Sequence, residues 1–213
     1  MIQEEPKVEV TLTQFLDAVS EGSATPGGGS VSALAGTLGS ALVEMVVNLT
    51  LGKKTFEAHE DELKRIGAEA HAHREALAAI IAQDIDAYQE VMKAYLLPKT
   101  NEEERRKRQE EIQKSLKKAA DPPLFTAATC LKVMKLCQEV VEKGNPNALS
   151  DAAVGALLVD AALWGGMFNV LINLSALEDK KYVQKMKKEL KRLTGEAEKI
   201  KTQIMSRVKE KIN

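Results

Sequence analysis

Residues 25–52 read TPGGGSVSALAGTLGSALVEMVVNLTLG, a glycine loop running into an apolar helix around which the chain is organised. The stretch opens with Thr25-Pro26-Gly27-Gly28-Gly29-Ser30, a loop with three adjacent glycines. Three glycines lose much backbone entropy on ordering, so they imply φ > 0 geometry or very close approach of another group. Ser30 suits the N-cap of the helix that follows from Val31. A glycine turn feeding a helix start presents free N–H groups and the positive end of the dipole, which suits an anion or a polar ring edge. The plain alternative is a loop that only caps a helix; three glycines beside Pro26 favour a ligand-contacting loop. Further along, Ser32, Gly36 and Ser40 recur every four residues, and Ala35 and Gly39 do so one stripe over. Small residues at that spacing let a second backbone come close. They predict a buried central helix in a tightly crossed pair, in the core or at a subunit interface. Glu44, the Ser, Gly and Thr content and the lack of about 20 consecutive apolar residues argue against a membrane span.

Around this stretch the composition is that of a soluble globular protein. The chain has 213 residues, 44% hydrophobic and 29% charged, with a net charge of −1. That balance gives no reason to invoke nucleic acid, and the low aromatic fraction of 4% with much alanine fits close-packed helices. Met1 to Glu9 is polar, without the apolar run of a signal peptide. Cys130 and Cys137 share one predicted helix, where their Cα atoms stand about 10 Å apart, too far for a disulfide. Reduced thiols and no leader predict a cytoplasmic protein.

Helical signals continue on both sides. Val8–Val10 reads as a short extended lead, and Thr11 with Gln14 as a capping box opening a helix that ends near Gly22. A long helix is predicted from about Ala58 to Leu97, stopped by Pro98. Its second half carries Leu77, Ile81, Asp84, Tyr88, Val91 and Tyr95 at steps of four and three, hence on one face. Asp84 is the only charge in that seam, and Asp86 falls on the opposite face. A carboxylate on an apolar seam needs pairing, hydrogen bonding or protonation. It is either a polar contact to a neighbouring helix or a general acid whose pKa burial has raised. Thr100 with Glu103 reads as another capping box, and Arg105–Arg108 as a solvated face. Asp121-Pro122-Pro123 starts a helix that Gly144-Asn145-Pro146 ends. Ser150 or Asp151 caps a helix to about Leu177 that is apolar almost all round and therefore central. Asn169 and Asn173 share one of its faces, as a brace or facing a ligand. A last helix from Asp179 buries the stripe Tyr182, Met186, Leu190, Leu193, Ala197, Ile200, Ile204 and Val208. No strand pattern is convincing. The fold class is all-α: one domain, residues 1–213, of about seven helices, two of them buried and central. Those two helices need more cover than seven helices supply, which predicts a dimer.

Several chemistries lack their residues. His71 and His73 point to different helix faces, and no Glu-x-x-His pair supplies a di-iron site. His59-Glu60 lacks the second histidine of a zinc peptidase. The triple glycine follows a helix and is not closed by Gly-Lys-Ser/Thr, so nucleotide-loop readings fail. No serine or cysteine has an evident histidine partner. Asp84, Asp151 and Asp160 remain as candidate acids.

Five motifs in order carry a resemblance: TPGGGSVSALAG, NLTLGKK (Asn48 to Lys54), Asp84-x-x-Ala87-Tyr88, Leu97-Pro98-Lys99 and FNVLINL (Phe168 to Leu174). Together, and over about residues 11–209, they resemble the formiminotetrahydrofolate cyclodeaminase family, which includes methenyltetrahydrofolate cyclohydrolases. The resemblance implies an all-helical homodimer that converts 5-formiminotetrahydrofolate to 5,10-methenyltetrahydrofolate and ammonia, with no metal and no cofactor beyond the tetrahydrofolate substrate. It implies Asp84 as the catalytic acid. It places Pro26, Gly27, Gly28, Gly29 and Ser30 against the folate, together with Asn48, Tyr88, Asn169 and Asn173. Lys53 and Lys54, which also suit a helix C-terminus, match a basic pair that would meet the glutamate tail. The resemblance matches nothing here to the formiminotransferase domain of the fused animal enzyme, so only the second reaction is expected of these residues. Cyclohydrolase activity in the same pocket is the second reading, and a non-catalytic folate-binding or assembly module the third.

Overall fold

The computed structural model describes residues 11–212, all of whose regular structure is helical. Seven α-helices follow in order: α1 Leu12–Ser20, α2 Gly28–Asn48, α3 Glu60–Tyr95, α4 Glu102–Ala119, α5 Asp121–Lys143, α6 Leu149–Ser175 and α7 Lys180–Ile212. Short 3₁₀ turns at Lys54–His59 and Pro146–Ala148 lead into α3 and α6. The expected lead at Val8–Val10 lies outside the described residues.

Helices α2 and α6 form the centre. They pack on each other, α2 also packs against α3 and α5, and α6 against α5 and α7. The small residues explain how close the crossing is. A Cβ on Gly39 would stand 2.9 Å from the Gly155 carbonyl oxygen of α6, and one on Gly36 would stand 2.8 Å from Cys130 Sγ on α5, so α2 sits equally close to that helix. Gly28 faces Asn169 and Gly39 faces Val159, so the two helices run antiparallel. Both are long and apolar enough to cross a membrane; in the bundle each buries one side against its neighbours and leaves another side exposed. Glu44 on α2 is ion-paired with Arg74 at 2.6 Å, and Asp160 on α6 with Lys201 at 3.1 Å.

The outer helices follow their apolar stripes. Met186, Leu190, Leu193, Ala197, Ile200, Ile204 and Val208 of α7 are all buried, with Tyr182 half-buried above them. The cysteines Cys130 and Cys137 on α5 are free and buried; burial pushes the Cys137 thiol up to about 12 and Cys130 higher still, so neither is a ready nucleophile. The turn after α2 is tied to the turn after α5. Asn145 N–H donates to Thr50 Oγ1 at 2.9 Å, and Asn145 Nδ2 to the Leu49 carbonyl at 3.1 Å.

Three helix starts differ from the sequence reading. Helix α2 begins at Gly28 with Gly27 as N-cap, so Ser30 lies inside the first turn. Helix α4 is capped by Asn101, whose Oδ1 accepts from Glu104 N–H, one residue beyond the expected Thr100 and Glu103 pair. Helix α6 starts at Leu149 because the Pro146–Ala148 turn runs straight into it, leaving no capping role for Ser150 or Asp151.

Candidate active site

The N-terminal turn of α2 is built around one carboxylate. Ser30 Oγ donates to Asp84 Oδ2 at 2.9 Å. This explains why Ser30 does not cap: its hydroxyl is aimed across at α3. A Cβ on Gly29 would stand 2.6 Å from Asp84 Cγ, so only glycine lets α2 start against this side chain. The glycine run is thus a close-approach device, and Gly29 carries that requirement most sharply.

Asp84 is partly buried, and burial raises its carboxyl above the ordinary aspartate range. The Ser30 hydroxyl and main-chain N–H oppose that shift by favouring the ionised form, and burial prevails. A carboxyl whose affinity for a proton is raised by burial is a candidate for proton transfer.

Asp84 sits in a cavity of about 400 Å³. Ala24, Thr25, Gly27, Gly28 and Gly29 close one end, Tyr88, Val91, Met92 and Tyr95 of α3 form one wall, and Asn169, Ile172, Asn173 and Ala176 face them, with Leu116 and Ala119 of α4. This size suits a small organic ligand. The apolar side chains around it are unusually open: Ile172 is 68% exposed and Tyr95 41%.

The two asparagines present acceptors. Asn169 Nδ2 donates to the Gly165 carbonyl at 2.9 Å, and Asn173 Nδ2 donates to the carbonyls of Ala119 and Asn169, each at 3.0 Å. Main-chain carbonyls accept only, so the amide nitrogens are fixed on them and each amide oxygen is left to receive an N–H.

The structure therefore brings Asp84, Tyr88, Asn169, Asn173 and the glycines Gly27, Gly28 and Gly29 to one cavity, with Ser30 behind Asp84. Pro26 is in the loop but not on the cavity wall. Asn48, Lys53 and Lys54 do not join them. Twenty residues of α2 separate Asn48 from Gly28, about 30 Å at the helical rise. Asn48 instead lines a shallow surface depression with Met45 and Arg74, and both lysines are exposed. Asp160 is engaged by Lys201, and neither it nor Asp151 reaches the cavity. Met92 and Ile172 were not singled out as site residues by sequence reasoning. Met92 lies four residues beyond Tyr88 and was legible from that spacing; Ile172 looks like any core residue. Among the described residues, no three His, Cys, Asp or Glu side chains cluster as a metal site would require.

Residues 11–192 match the family model described as formiminotransferase-cyclodeaminase. A methenyltetrahydrofolate cyclohydrolase from Methylorubrum extorquens is 40% identical over 95% of this chain and 98% of its own length. The formimidoyltransferase-cyclodeaminase of Rattus norvegicus is 34% identical over 91% of this chain, which spans only 36% of that longer protein. The bundle superposes on the crystal structure of formiminotetrahydrofolate cyclodeaminase from Thermotoga maritima with a TM-score of 0.87 and 31% identity, covering 96% of this chain and 98% of that one.

Proposed function

This chain belongs to the formiminotransferase-cyclodeaminase family, and from that premise we propose that it is a 5,10-methenyltetrahydrofolate cyclohydrolase in which Asp84 moves the proton. The observation that carries the reading is the Asp84 carboxyl, raised by burial, clasped by Ser30 and set at the glycine-lined end of an open cavity. The end-to-end match to a named cyclohydrolase supports that choice of reaction.

The chemistry asks little more of the protein. Water adds to the methenyl carbon as the Asp84 carboxylate takes one of its protons. The tetrahedral adduct then breaks its bond to N5. Asp84 returns the proton to N5, the hydroxyl proton is released, and 10-formyltetrahydrofolate results. The scheme uses neither a metal nor a redox cofactor. The acceptor oxygens of Asn169 and Asn173 suit the N–H groups of a reduced pterin, and Tyr88 offers a face for an aromatic ring.

Cyclodeaminase activity, placed first by sequence alone, is the second reading. The close superposition on the Thermotoga enzyme favours it. There N10 attacks the formimino carbon and Asp84 protonates the departing ammonia, again with one carboxyl. Methenyl absorbance decides between the two on purified protein. A fall with 5,10-methenyltetrahydrofolate above the spontaneous rate is expected, and a rise with 5-formiminotetrahydrofolate plus ammonia marks the second reading. Turnover of neither, with folate bound, refutes both and favours a binding module.

We also propose that the working unit is a homodimer closed over α2 and α6. Val31, Leu38 and Met45 lie seven apart along α2, and Val154 and Phe168 share the outer side of the neighbouring α6 with Leu157; all six are exposed. Adjacent apolar ridges of this kind mark an interaction surface. Leu38→Glu, at a side chain 49% exposed, is expected to yield a folded monomer by light scattering. A wild-type monomer contradicts the proposal.

A further inference from the structure

Arginines in this chain are almost all neutralised. Arg65, Arg74, Arg105, Arg106, Arg192 and Arg207 each lie within 4 Å of a carboxylate. Arg108 is the remaining one, and no carboxylate among the described residues pairs with it. Its position is nevertheless fixed. Nε and Nη2 both donate to the Tyr95 carbonyl, at 3.2 and 3.1 Å, and the guanidinium lies over the Tyr95 ring, 5.6 Å from its centroid. Among the described residues, Nη1 has no partner. Tyr95 lines the Asp84 cavity, and Arg108, stacked on it, lines a separate surface depression with Lys99 and Arg105. The acids of that depression, Glu102 and Glu110, are paired with Arg105 and Arg106.

Distance along α3 gives this arrangement a direction. Asp84, Tyr88, Met92 and Tyr95 all face the cavity, and eleven residues from Asp84 to Tyr95 span about 16 Å. A ligand with its reacting carbon at Asp84 that followed this wall would leave past Tyr95, towards a held guanidinium with no carboxylate partner among the described residues. A planar fork pre-set by two hydrogen bonds and a ring stack suits a carboxylate better than a mobile lysine does. Lys53 and Lys54, about 30 Å along α2 in the other direction, are out of reach within the same chain.

We propose that Arg108 anchors the glutamyl carboxylate of the folate tail at the Tyr95 end of the cavity, making it a specificity-determining residue. The assignment rests on the folate reading of the site, and its test separates the two. Equilibrium binding of tetrahydrofolate is compared with that of tetrahydropteroate, the same ligand without glutamate, for wild type and Arg108→Gln. Wild type is expected to prefer the tailed ligand about tenfold or more, as for a charge-assisted hydrogen bond. Arg108→Gln brings that preference to within about twofold while leaving tetrahydropteroate affinity in place. The wild-type preference is also expected to shrink between low salt and about 0.5 M salt, a readout independent of any variant's folding. A variant that keeps the wild-type preference, a wild type with none, or a preference indifferent to salt overturns the anchor. A wild type that shows the Arg108-dependent preference but turns over no one-carbon folate leaves the anchor standing and refutes the reaction.

Discussion

Gly29→Ala isolates the close approach on which the site depends. The added methyl would stand 2.6 Å from Asp84 Cγ, where ordinary contact begins near 3.4 Å. Asp84 must therefore move by about 1 Å, because Gly29 is held in the first turn of α2. For the proton-transfer role proposed for Asp84, a displacement of that size costs roughly a hundredfold in rate. The move also weakens the Ser30 bond, worth about 1.5–3 kcal/mol as a bond to a charged group. The alanine returns about 0.4–1 kcal/mol by restricting the unfolded chain. Net destabilisation is then about 0.5–2.5 kcal/mol, a fall in Tm of a few degrees for a chain of this size. The control is Gly195→Ala on α7, where a methyl meets nothing within 4 Å. It is expected to gain up to about 1 kcal/mol with full activity. Hydrolysis of 5,10-methenyltetrahydrofolate followed by absorbance, with thermal melts of the same preparations, reads both effects. Gly29→Ala with turnover within twofold of wild type would show that Asp84's placement does not depend on Gly29.

Other outcomes follow from the same geometry. Because burial raises the Asp84 carboxyl, the folded protein keeps that proton where the unfolded chain has lost it. Its contribution is fully present below the ordinary aspartate pKa and is lost as pH rises through the raised value. Asp84→Asn, with no charge to bury, should therefore melt higher than wild type at pH 8, and that advantage should disappear by pH 4. Ser30→Ala removes a donor that favours the ionised form, so the pH–rate profile limb belonging to Asp84 should move to higher pH; an unmoved limb would separate Ser30 from the titrating group. Asn145→Ala leaves the Leu49 carbonyl and the Asn147 N–H without their partner. A loss of about 1–3 kcal/mol is expected in denaturant unfolding, with catalysis unaffected at this distance from the cavity.

Helix identity was plain in the chain, and the reasons are local. The stripe from Met186 to Val208 has one period over six turns, and Asp121-Pro122 and Gly144 bound α5 with residues of known preference. Asp84 stood out because a lone carboxylate interrupted an apolar seam. What was not legible depended on partners distant in sequence. Ser30 reads as a cap by propensity, but a carboxylate 54 residues away takes its hydroxyl, and Gly27 caps instead. Asn48, Lys53 and Lys54 follow the glycine loop closely in sequence, and only the straightness of a 21-residue helix sends them far from it. Arg108 sits in a run of basic residues that reads as a solvated face. Its distinction is that its neighbours have acids and it has a tyrosine, which spacing does not reveal.

The most direct test of the account is the single comparison of wild type with Asp84→Asn, each given 5,10-methenyltetrahydrofolate and, separately, 5-formiminotetrahydrofolate at saturating concentration. The variant is expected to bind tetrahydrofolate as wild type does and to lose a factor of about 10² to 10⁴ in whichever turnover wild type shows, the range for a positioned proton donor. Turnover by Asp84→Asn near the wild-type rate would contradict it and return Asp84 to a purely structural contact with Ser30.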